Sequence, residues 1–528
     1  MLKTAEDIGT VSATLSDETL TKKASLNTVA AGLDYAARLL VGLLITPLLV
    51  AGLGDFYYGA WQMLLRLIGY ISPASGRPTQ ALKMTLANQL TSGDYDQKRC
   101  YVGSALAVWA LFLPVVGMIG GLVAWFVPYW IHSTPDHIWP VRLAAGLLVG
   151  NLAMSTLVAV PQSVLEGENL AYKRMGLSAL LVMAGGSFTW LALWLRLGIA
   201  GVASATLATT FVMGIFYLQV ARTYTSWFGV AKPSVEAARQ FLGLSWWFLA
   251  WNLISNAMVA SDVVVLGFLN SVRSVTDYTL TKYAPETLTS VVAIIVFGIS
   301  PGLGGIIGSG DMEKANRLRS EIMALTWLVV TVLGTSILFW NRAFIQYWVG
   351  AQHFCGTIPA LLIVLMTMQF VLIRNDSNFI DLTLRLRRKV LLGGLSVSIS
   401  LAASTTLVGY FKLGIEGLCL GLILGRSILS LGYPLAVGRL LMLPLCSQLR
   451  GTLRPAAVTI TLFLGASLCD ALASSGRWQP VTGWLSLVVA AGITFVVISL
   501  AAFYTGLSSK QRNRLWKRAR YLMTIVRP

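Results

Sequence analysis

Apolar runs of about 20 residues alternate with short polar segments along almost the whole chain. A helix of that length crosses roughly 30 Å of hydrocarbon, because each residue adds about 1.5 Å. The pattern predicts fourteen membrane-spanning helices. Their bounds are 26–53, 57–76, 101–127, 141–162, 175–195, 200–221, 241–268, 280–307, 322–340, 358–381, 390–410, 414–437, 455–473 and 481–505.

Composition supports an all-α integral membrane protein. The 528 residues are 56% hydrophobic and only 12% charged, and the mean hydropathy is +0.71. A soluble chain would carry roughly 25% charged residues. Residues 1–25 are polar and acidic in part, so they predict a cytoplasmic N-terminal segment and not a signal peptide.

Basic residues collect on one side of the predicted membrane. Of the 40 lysines and arginines, 29 fall in segments on the side of the N-terminus, 7 in the opposite loops and 4 inside spans. The positive-inside rule therefore places both termini in the cytoplasm. This bias accounts for much of the net charge of +18 without nucleic acid. The basic tail at 506–528 is expected to contact anionic lipid headgroups or, as the alternative, a protein partner.

The sequence carries no motif of an enzyme. It has no P-loop, no nucleophile elbow and no HExxH zinc motif. Its cysteines and three histidines are too scattered for a metal site. No cofactor is expected. Because no loop is long enough for a nucleotide-binding domain, transport would draw energy from an ion gradient or from the substrate's own imbalance.

Two short phrases recur at nearly the same offset. LGIAG at 197–201 and LGIEG at 413–417 precede spans 6 and 12, and a Gly-Asp pair follows spans 2 (Gly93-Asp94) and 8 (Gly310-Asp311). They indicate a duplication of six spans, and an even number gives two parallel lobes. The predicted organisation is an N-lobe at 26–222, a C-lobe at 239–437, two further spans at 455–505 and the tail.

Charged residues inside spans are the candidate functional groups, because each costs about 2.5–3.5 kcal/mol at a helix centre unless paired or hydrated. Several share one helical face, as Asp34 and Arg38 do at i, i+4. We expect them to face a central wet cavity. The substrate-binding candidates are Arg38, Arg66, Arg374, Arg426, Asn252, Asn256 and Asn378. The candidates for coupling to H⁺ or Na⁺ are Asp34, Asp262, Asp376 and Asp381.

Four arginines near a cavity favour an anionic substrate, because guanidinium binds phosphate oxygens in pairs and stays charged. The alternative is that each arginine is neutralised by an aspartate, which Asp34 and Arg38 could do directly. Arg66 and Arg426 have no carboxylate within one helical turn. Pro47 and Pro73 are candidate gate hinges, with static kinks as the alternative.

The stretch LGDFYYGAW at 53–61 resembles the LG-x-x-x-YG-x-W pattern between spans 1 and 2 of the multidrug/oligosaccharidyl-lipid/polysaccharide exporter superfamily, in its polysaccharide-biosynthesis branch of Wzx-type flippases. The Gly-Asp loops and the LGIxG turns are similar to that branch as well, and the resemblance covers roughly residues 25–437.

The resemblance implies a flippase of a bacterial cytoplasmic (inner) membrane. Such proteins move oligosaccharide repeat units on a polyprenyl pyrophosphate, of the undecaprenyl type, for O-antigen, capsule or exopolysaccharide synthesis. Two six-helix lobes alternate access to a cationic cavity, and the pyrophosphate would lie on the arginines. The implied state is a monomer, with the polymerase and chain-length machinery as candidate partners.

Three other functions remain open from the sequence. A cation-coupled multidrug exporter would have the same fold, although such cavities usually depend on acidic residues. A lipid II flippase would also need a cationic cavity, so the arginines cannot separate it from the first interpretation. A scaffold without transport would gain nothing from charges inside its spans.

Overall fold

The computed structural model describes residues 3–76, 78–89, 94–168, 170, 172–243, 246–308, 311–382, 386–441, 445–474, 481–509 and 511–513. Within these ranges the regular structure is helical and contains no strand. Gly93, Gly310 and most of the predicted basic tail lie outside the described residues.

The described residues form fifteen α-helices in chain order. They are α1 Lys3–Ile71, α2 Pro78–Asn88, α3 Tyr95–Trp130, α4 Pro135–Gly167, α5 Tyr172–Trp194, α6 Gly198–Tyr224, α7 Val235–Gly243, α8 Trp246–Leu269, α9 Val272–Gly308, α10 Met312–Trp348, α11 Thr357–Leu382, α12 Leu386–Thr405, α13 Gly414–Leu440, α14 Leu445–Ser474 and α15 Trp484–Ala501. Short π-helical turns at Thr406–Tyr410 and Ala502–Gly506 extend α12 and α15.

Among the described residues, twelve helical segments are long and apolar enough to cross a membrane. One of them, Gly32–Ser75, covers the first two predicted spans, because the helical run is interrupted only at Gly54, whose φ is 74°. The predicted span at 280–307 lies on α9, which is helical but carries Lys282, Pro285 and Glu286. α9 is not among the twelve, but its charged residues stand on its N-terminal side, and residues 287–308 carry no charge.

The chain divides into two compact units, Met1–Asn256 and Ala257–Pro528. In the first unit, α4 packs along α6 and α1 along α5. In the second, α12 packs along α13, α11 along α13 and α10 along α14. The division falls inside α8, later in the chain than the predicted gap between 222 and 239.

The two LGIxG phrases fold into the same turn. Gly198 and Gly414 begin α6 and α13 with φ of 61° and 55°, a left-handed conformation that glycine adopts without a steric penalty. Two residues earlier, Arg196 and Lys412 are also left-handed, with φ of 55° and 54°. The repeated phrase therefore encodes a repeated backbone geometry, as an internal duplication requires.

The aspartates of the two Gly-Asp pairs also share a structural role. The carboxylate of Asp94 accepts a hydrogen bond of 2.9 Å from the backbone nitrogen of Gln97. Asp311 accepts one of 2.9 Å from the backbone nitrogen of Lys314. Each aspartate is thus the N-cap of a long helix, α3 or α10, and satisfies a backbone donor that the helix leaves free.

Small residues bring α12 and α13 into close contact. A Cβ added to Gly421 would lie 2.5 Å from both the backbone nitrogen and the Oγ of Ser404. One turn further on, Ser396 donates a 3.0 Å hydrogen bond to the carbonyl of Gly425. Close packing of glycine and serine is a principal source of helix association in membranes, where apolar burial contributes little.

The two helices that follow the duplicated core are attached to α10. Arg342 on α10 donates to both carboxylate oxygens of Asp470 on α14, at 2.7 and 3.0 Å. Thr357 at the start of α11 donates to the same carboxylate at 2.5 Å. The Trp340 indole donates to Thr494 on α15 at 2.8 Å. Paired hydrogen bonds from guanidinium to carboxylate fix both distance and orientation, so α14 and α15 hold a defined position on the second unit.

Gly421→Val should destabilise the protein by about 1–3 kcal/mol, because the added side chain meets backbone that cannot move aside alone. Gly465→Val on α14 is the matched control, since a Cβ there meets no heavy atom within 4 Å. Thermal unfolding of the purified protein measures both. Equal unfolding temperatures for the two variants would show that the contact between α12 and α13 tolerates side chains.

A candidate cation-lined binding site

Three helices of the second unit bring ionisable side chains to one small cavity. α9, α11 and α13 line it, together with Val259 of α8. Its volume is about 100 Å³, the space of about three water molecules or of one phosphate-sized group. Its charged lining residues are Lys282, Glu286, Arg374 and Arg426. The structure thus brings together two of the predicted arginines, Arg374 and Arg426, and adds a lysine and a glutamate.

Arg426 is anchored to backbone. Its side chain is buried, and Nη2 donates a 2.5 Å hydrogen bond to the carbonyl of Met258 on α8. The guanidinium lies over the ring of Phe370, 5.3 Å from the ring centre, where the ring's negative face attracts a cation. No carboxylate among the described residues forms an ion pair with it. The cation is therefore oriented by neutral groups, the Met258 carbonyl and the Phe370 ring.

Asp262 on α8 balances the lysine of the cavity. Lys282 forms an ion pair with its Oδ2, and the Tyr278 hydroxyl donates to the same oxygen at 2.7 Å. Its Oδ1 accepts a 2.7 Å bond from the backbone nitrogen of Val263. The carboxylate is buried and both of its oxygens accept hydrogen bonds, as a charge in an apolar interior must be. Any coupling ion at Asp262 would compete with Lys282.

Arg374 on α11 is the most available cation of the cavity. It is half-buried, and its guanidinium makes no hydrogen bond or ion pair with any residue within the described ranges. Lys282 is neutralised by Asp262, so the two arginines face one glutamate, Glu286. The cavity therefore has a net positive charge and a guanidinium with donors to spare.

In the first unit, the predicted pair of Asp34 and Arg38 forms directly. Arg38 Nη2 lies 2.7 Å from Asp34 Oδ2, and Ser178 donates to the other carboxylate oxygen at 2.8 Å. The Arg38 side chain is 62% exposed. This geometry matches the self-neutralising alternative for the pair. Arg66, the fourth predicted arginine, is half-buried on α1.

The predicted asparagines lie on two helices. Asn252 and Asn256 are half-buried on α8, and the Asn256 amide donates a 3.0 Å hydrogen bond to the carbonyl of Gly69 on α1. Asn378 is half-buried on α11, one turn from Arg374. Their roles as substrate ligands stay predictions.

The two remaining candidate coupling carboxylates also have basic partners. Arg319 donates to Asp376 Oδ1 from Nε at 2.9 Å and from Nη2 at 2.6 Å. Lys389 donates to Asp381 at 2.6 Å. All four predicted coupling aspartates are therefore ion-paired in this structure. Sequence reasoning missed the partners on neighbouring helices, because nothing local in the sequence joins them.

The predicted hinges lie at different kinds of position. Pro47 is inside α1, where it removes one backbone hydrogen bond. Pro73 is buried in a short 3₁₀ turn, Ser72–Ser75, which ends at Gly76 with a φ of 69°. The clearest break in α1 is at Gly54, in the LGDFYYG stretch. A hinge function for either proline stays a prediction.

Comparison with solved structures identifies the fold. An inward-facing multidrug resistance MATE family transporter of the MOP superfamily superposes with a TM-score of 0.62 at 13% identity, over 82% of this chain and 99% of that one. The lipid II flippase MurJ, in an inward closed conformation, gives 0.66 at 11% identity, over 90% and 99%. The eukaryotic MATE transporter AtDTX14 gives 0.54 at 13% identity, over 84% and 99%.

No protein-family model and no curated protein sequence matches the chain. At these low identities the structural likeness establishes the fold: an all-α membrane protein with two six-helix lobes and two further helices. The MOP superfamily, to which the first of these structures belongs, is the one that the LGDFYYGAW stretch indicated. Its Wzx branch is a finer assignment that the structural likeness does not make.

The Asp262–Lys282 pair generates a test by double substitution. Asp262→Asn and Lys282→Met should each destabilise the protein by about 3–5 kcal/mol, because each leaves a buried charge without its partner. The double variant should recover most of that loss. Thermal unfolding of the two single variants and the double variant measures the coupling. Additive losses would mean that the two side chains do not depend on each other.

Proposed function

We propose that this chain, which has the fold of the multidrug/oligosaccharidyl-lipid/polysaccharide exporter superfamily, flips polyprenyl-pyrophosphate-linked oligosaccharides across a bacterial cytoplasmic membrane. The observation that carries the proposal is the cation-lined cavity of the second unit, with Arg374, Arg426 and Lys282 at its wall. The oligosaccharide units would serve the synthesis of O-antigen, capsule or exopolysaccharide.

The chemistry of a pyrophosphate suits this cavity. A pyrophosphate diester is anionic and presents several acceptor oxygens, whereas Arg374 presents a guanidinium with free donors. Charge-assisted hydrogen bonds of this kind are about twice as strong as neutral ones. Arg426 is already oriented by Met258 and Phe370, so little side-chain entropy is lost when an anion binds. One phosphate group fills a space of this size, and the sugar and lipid would extend beyond it.

The Asp262–Lys282 pair offers a route to ion coupling. An anion in the cavity competes with Asp262 for Lys282, which lines the same cavity. As the ammonium turns towards the anion, the carboxylate loses its counter-ion, and its affinity for a proton or Na⁺ rises. Release of the anion on the other side reverses the exchange. Substrate and coupling ion are then linked through one lysine.

Lipid II is the second candidate substrate. The lipid II flippase MurJ superposes over 90% of this chain, the largest share among the three structures compared. A lipid-linked pyrophosphate would use the same cations, so only the glycan distinguishes the two substrates. Export of cationic drugs is disfavoured by the net positive charge of the cavity, because a cation would be repelled there.

A flipping assay tests the proposal. Purified protein is reconstituted in vesicles that carry a polyprenyl-pyrophosphate oligosaccharide, and exposure of the sugar to an external lectin or glycosidase is followed. Arg374→Ala should slow exposure roughly ten- to a hundredfold, since hydrogen bonds to a charged group contribute about 1.5–3 kcal/mol. Arg426→Ala should slow it as well, and Arg66→Ala tests the first unit.

Arg317→Ala is the matched control. Arg317 on α10 is half-exposed and pairs with Glu313 at 3.1 Å, away from the cavity, so this variant should flip at the wild-type rate. Fully active, normally expressed Arg374→Ala and Arg426→Ala would rule out the cation-lined site. Protein-dependent exposure of lipid II but of no other glycan would favour the second candidate. Efflux of cationic dyes without flipping would favour drug export.

A further inference from the structure

A second, larger cavity lies in the second unit and shares no lining residue with the cation-lined one. It has a volume of about 440 Å³ and is lined by α10, α11, α13 and α14 and by Gln511. It lies where α10 begins, at the side of the membrane predicted to be cytoplasmic. Neither the comparisons nor the proposed transport cycle gives this cavity a role.

An ion pair forms the polar end of the cavity, and one nitrogen and one oxygen of that pair remain available for further hydrogen bonds. Arg319 and Asp376 both line it, and their side chains are only 12% and 4% exposed. Nε and Nη2 of Arg319 both donate to the single oxygen Oδ1 of Asp376. Arg319 Nη1 and Asp376 Oδ2 therefore form no hydrogen bond with any part of the chain that the structure describes. The cavity wall offers one positive and one negative group side by side.

Two glutamines add carbonyl oxygens that accept no hydrogen bond from the described residues. Gln369 and Gln448 line the cavity, and their amide nitrogens donate to the carbonyls of Ile423 and Pro434 at 3.1 and 3.2 Å. Their carbonyl oxygens are buried and have no hydrogen-bond partner within the described residues. Buried acceptors of this kind are rare in folded proteins and require an explanation. A ligand that donates several N–H groups would satisfy them together with Asp376.

Most of the remaining wall is apolar and extends into the membrane, with Met323, Trp327 and Leu372 among its lining residues. Lining residues on α10 run from Asn316 to Trp327, a rise of about 16 Å along the helix. Arg319 lies three residues before the predicted span 322–340, which places the ion pair at about the depth of lipid headgroups. At the cavity margin, Leu431 of α13 is 55% exposed on the helix surface. A molecule with a polar head and an alkyl chain fits this distribution.

We infer that this cavity binds one phospholipid with a zwitterionic headgroup that contains a primary ammonium, namely phosphatidylethanolamine of the adjacent leaflet. The ammonium would donate to Asp376 Oδ2 and to the glutamine oxygens, and the phosphate would accept from Arg319 Nη1. A phosphatidylglycerol headgroup brings no cation for Asp376. A phosphatidylcholine headgroup brings a cation without N–H donors, so the glutamine oxygens would stay unsatisfied.

Binding to delipidated full-length protein tests this inference. Phosphatidylethanolamine, phosphatidylglycerol and phosphatidylcholine are added separately in mild detergent, and retained lipid is counted by native mass spectrometry. Wild-type protein should retain one phosphatidylethanolamine. It should bind this lipid about tenfold more tightly than the other two, because each of those lacks one charge-assisted hydrogen bond to the cavity. Its unfolding temperature should rise with that lipid alone, because a ligand of the folded state stabilises it.

Two glycines of α14 provide matched variants. Gly451 lines the cavity and Gly465 does not, and an added Cβ at either position meets no heavy atom within 4 Å. Gly451→Phe should abolish retention of phosphatidylethanolamine, whereas Gly465→Phe should leave it unchanged. Asp376→Asn is a second variant that keeps the side-chain shape, and it should remove the preference for the ammonium lipid.

Three results would overturn the inference. The first is equal retention of all three lipids, and the second is retention of phosphatidylethanolamine by Gly451→Phe at the wild-type level. The third is that the wild type binds no lipid, which would mean that water alone fills the cavity. Neither readout involves flipping. A protein that binds this lipid but flips no oligosaccharide would refute the proposed function alone, and the converse result would refute this inference alone.

Discussion

The high free energy of a charge in hydrocarbon is the constraint on which this structure depends. A helix bundle in a membrane can keep an ionised side chain only if the protein supplies a partner or a polar cavity. Asp262, Asp376 and Asp381 each face a basic side chain that stands elsewhere in the chain. The arginines of the cation-lined cavity are the exception, and the cavity beside them is where an anionic ligand would fit.

The sequence was most informative where the physics is local. Apolar runs predicted the helices, and the LGIxG phrases predicted the duplication, which Gly198 and Gly414 confirm with the same left-handed turn. The Asp34–Arg38 pair was also foreseen, because four residues are one helical turn. Helical length was predictable for α9 too, because Lys282 and Glu286 stand near the start of its predicted span and the residues after them are uncharged.

Partners between helices could not be predicted in this way. Lys282 follows Asp262 by 20 residues, Arg319 precedes Asp376 by 57, and Met258 precedes Arg426 by 168. Hydrophobic periodicity indicates which face of a helix is buried, but not which neighbour that face meets. The duplication does not help either, because the aspartates of the two units do not lie at equivalent positions of the repeat. The ion pairs are therefore features in which the two copies of the repeat differ.

The short spacing of the Asp262–Lys282 pair has a consequence for biogenesis. At synthesis rates of about 5–20 residues per second, Lys282 emerges roughly 1–4 s after Asp262, whereas Asp376 follows Arg319 by roughly 3–11 s. The helices α8 and α9 are joined by only two residues, so they can enter the bilayer as one hairpin in which Asp262 and Lys282 neutralise each other. Arg319 gains its partner Asp376 only once α11 has been made. Insertion of the second unit is therefore expected to begin with α8 and α9 as a pair, so that the charges of Asp262 and Lys282 leave water together.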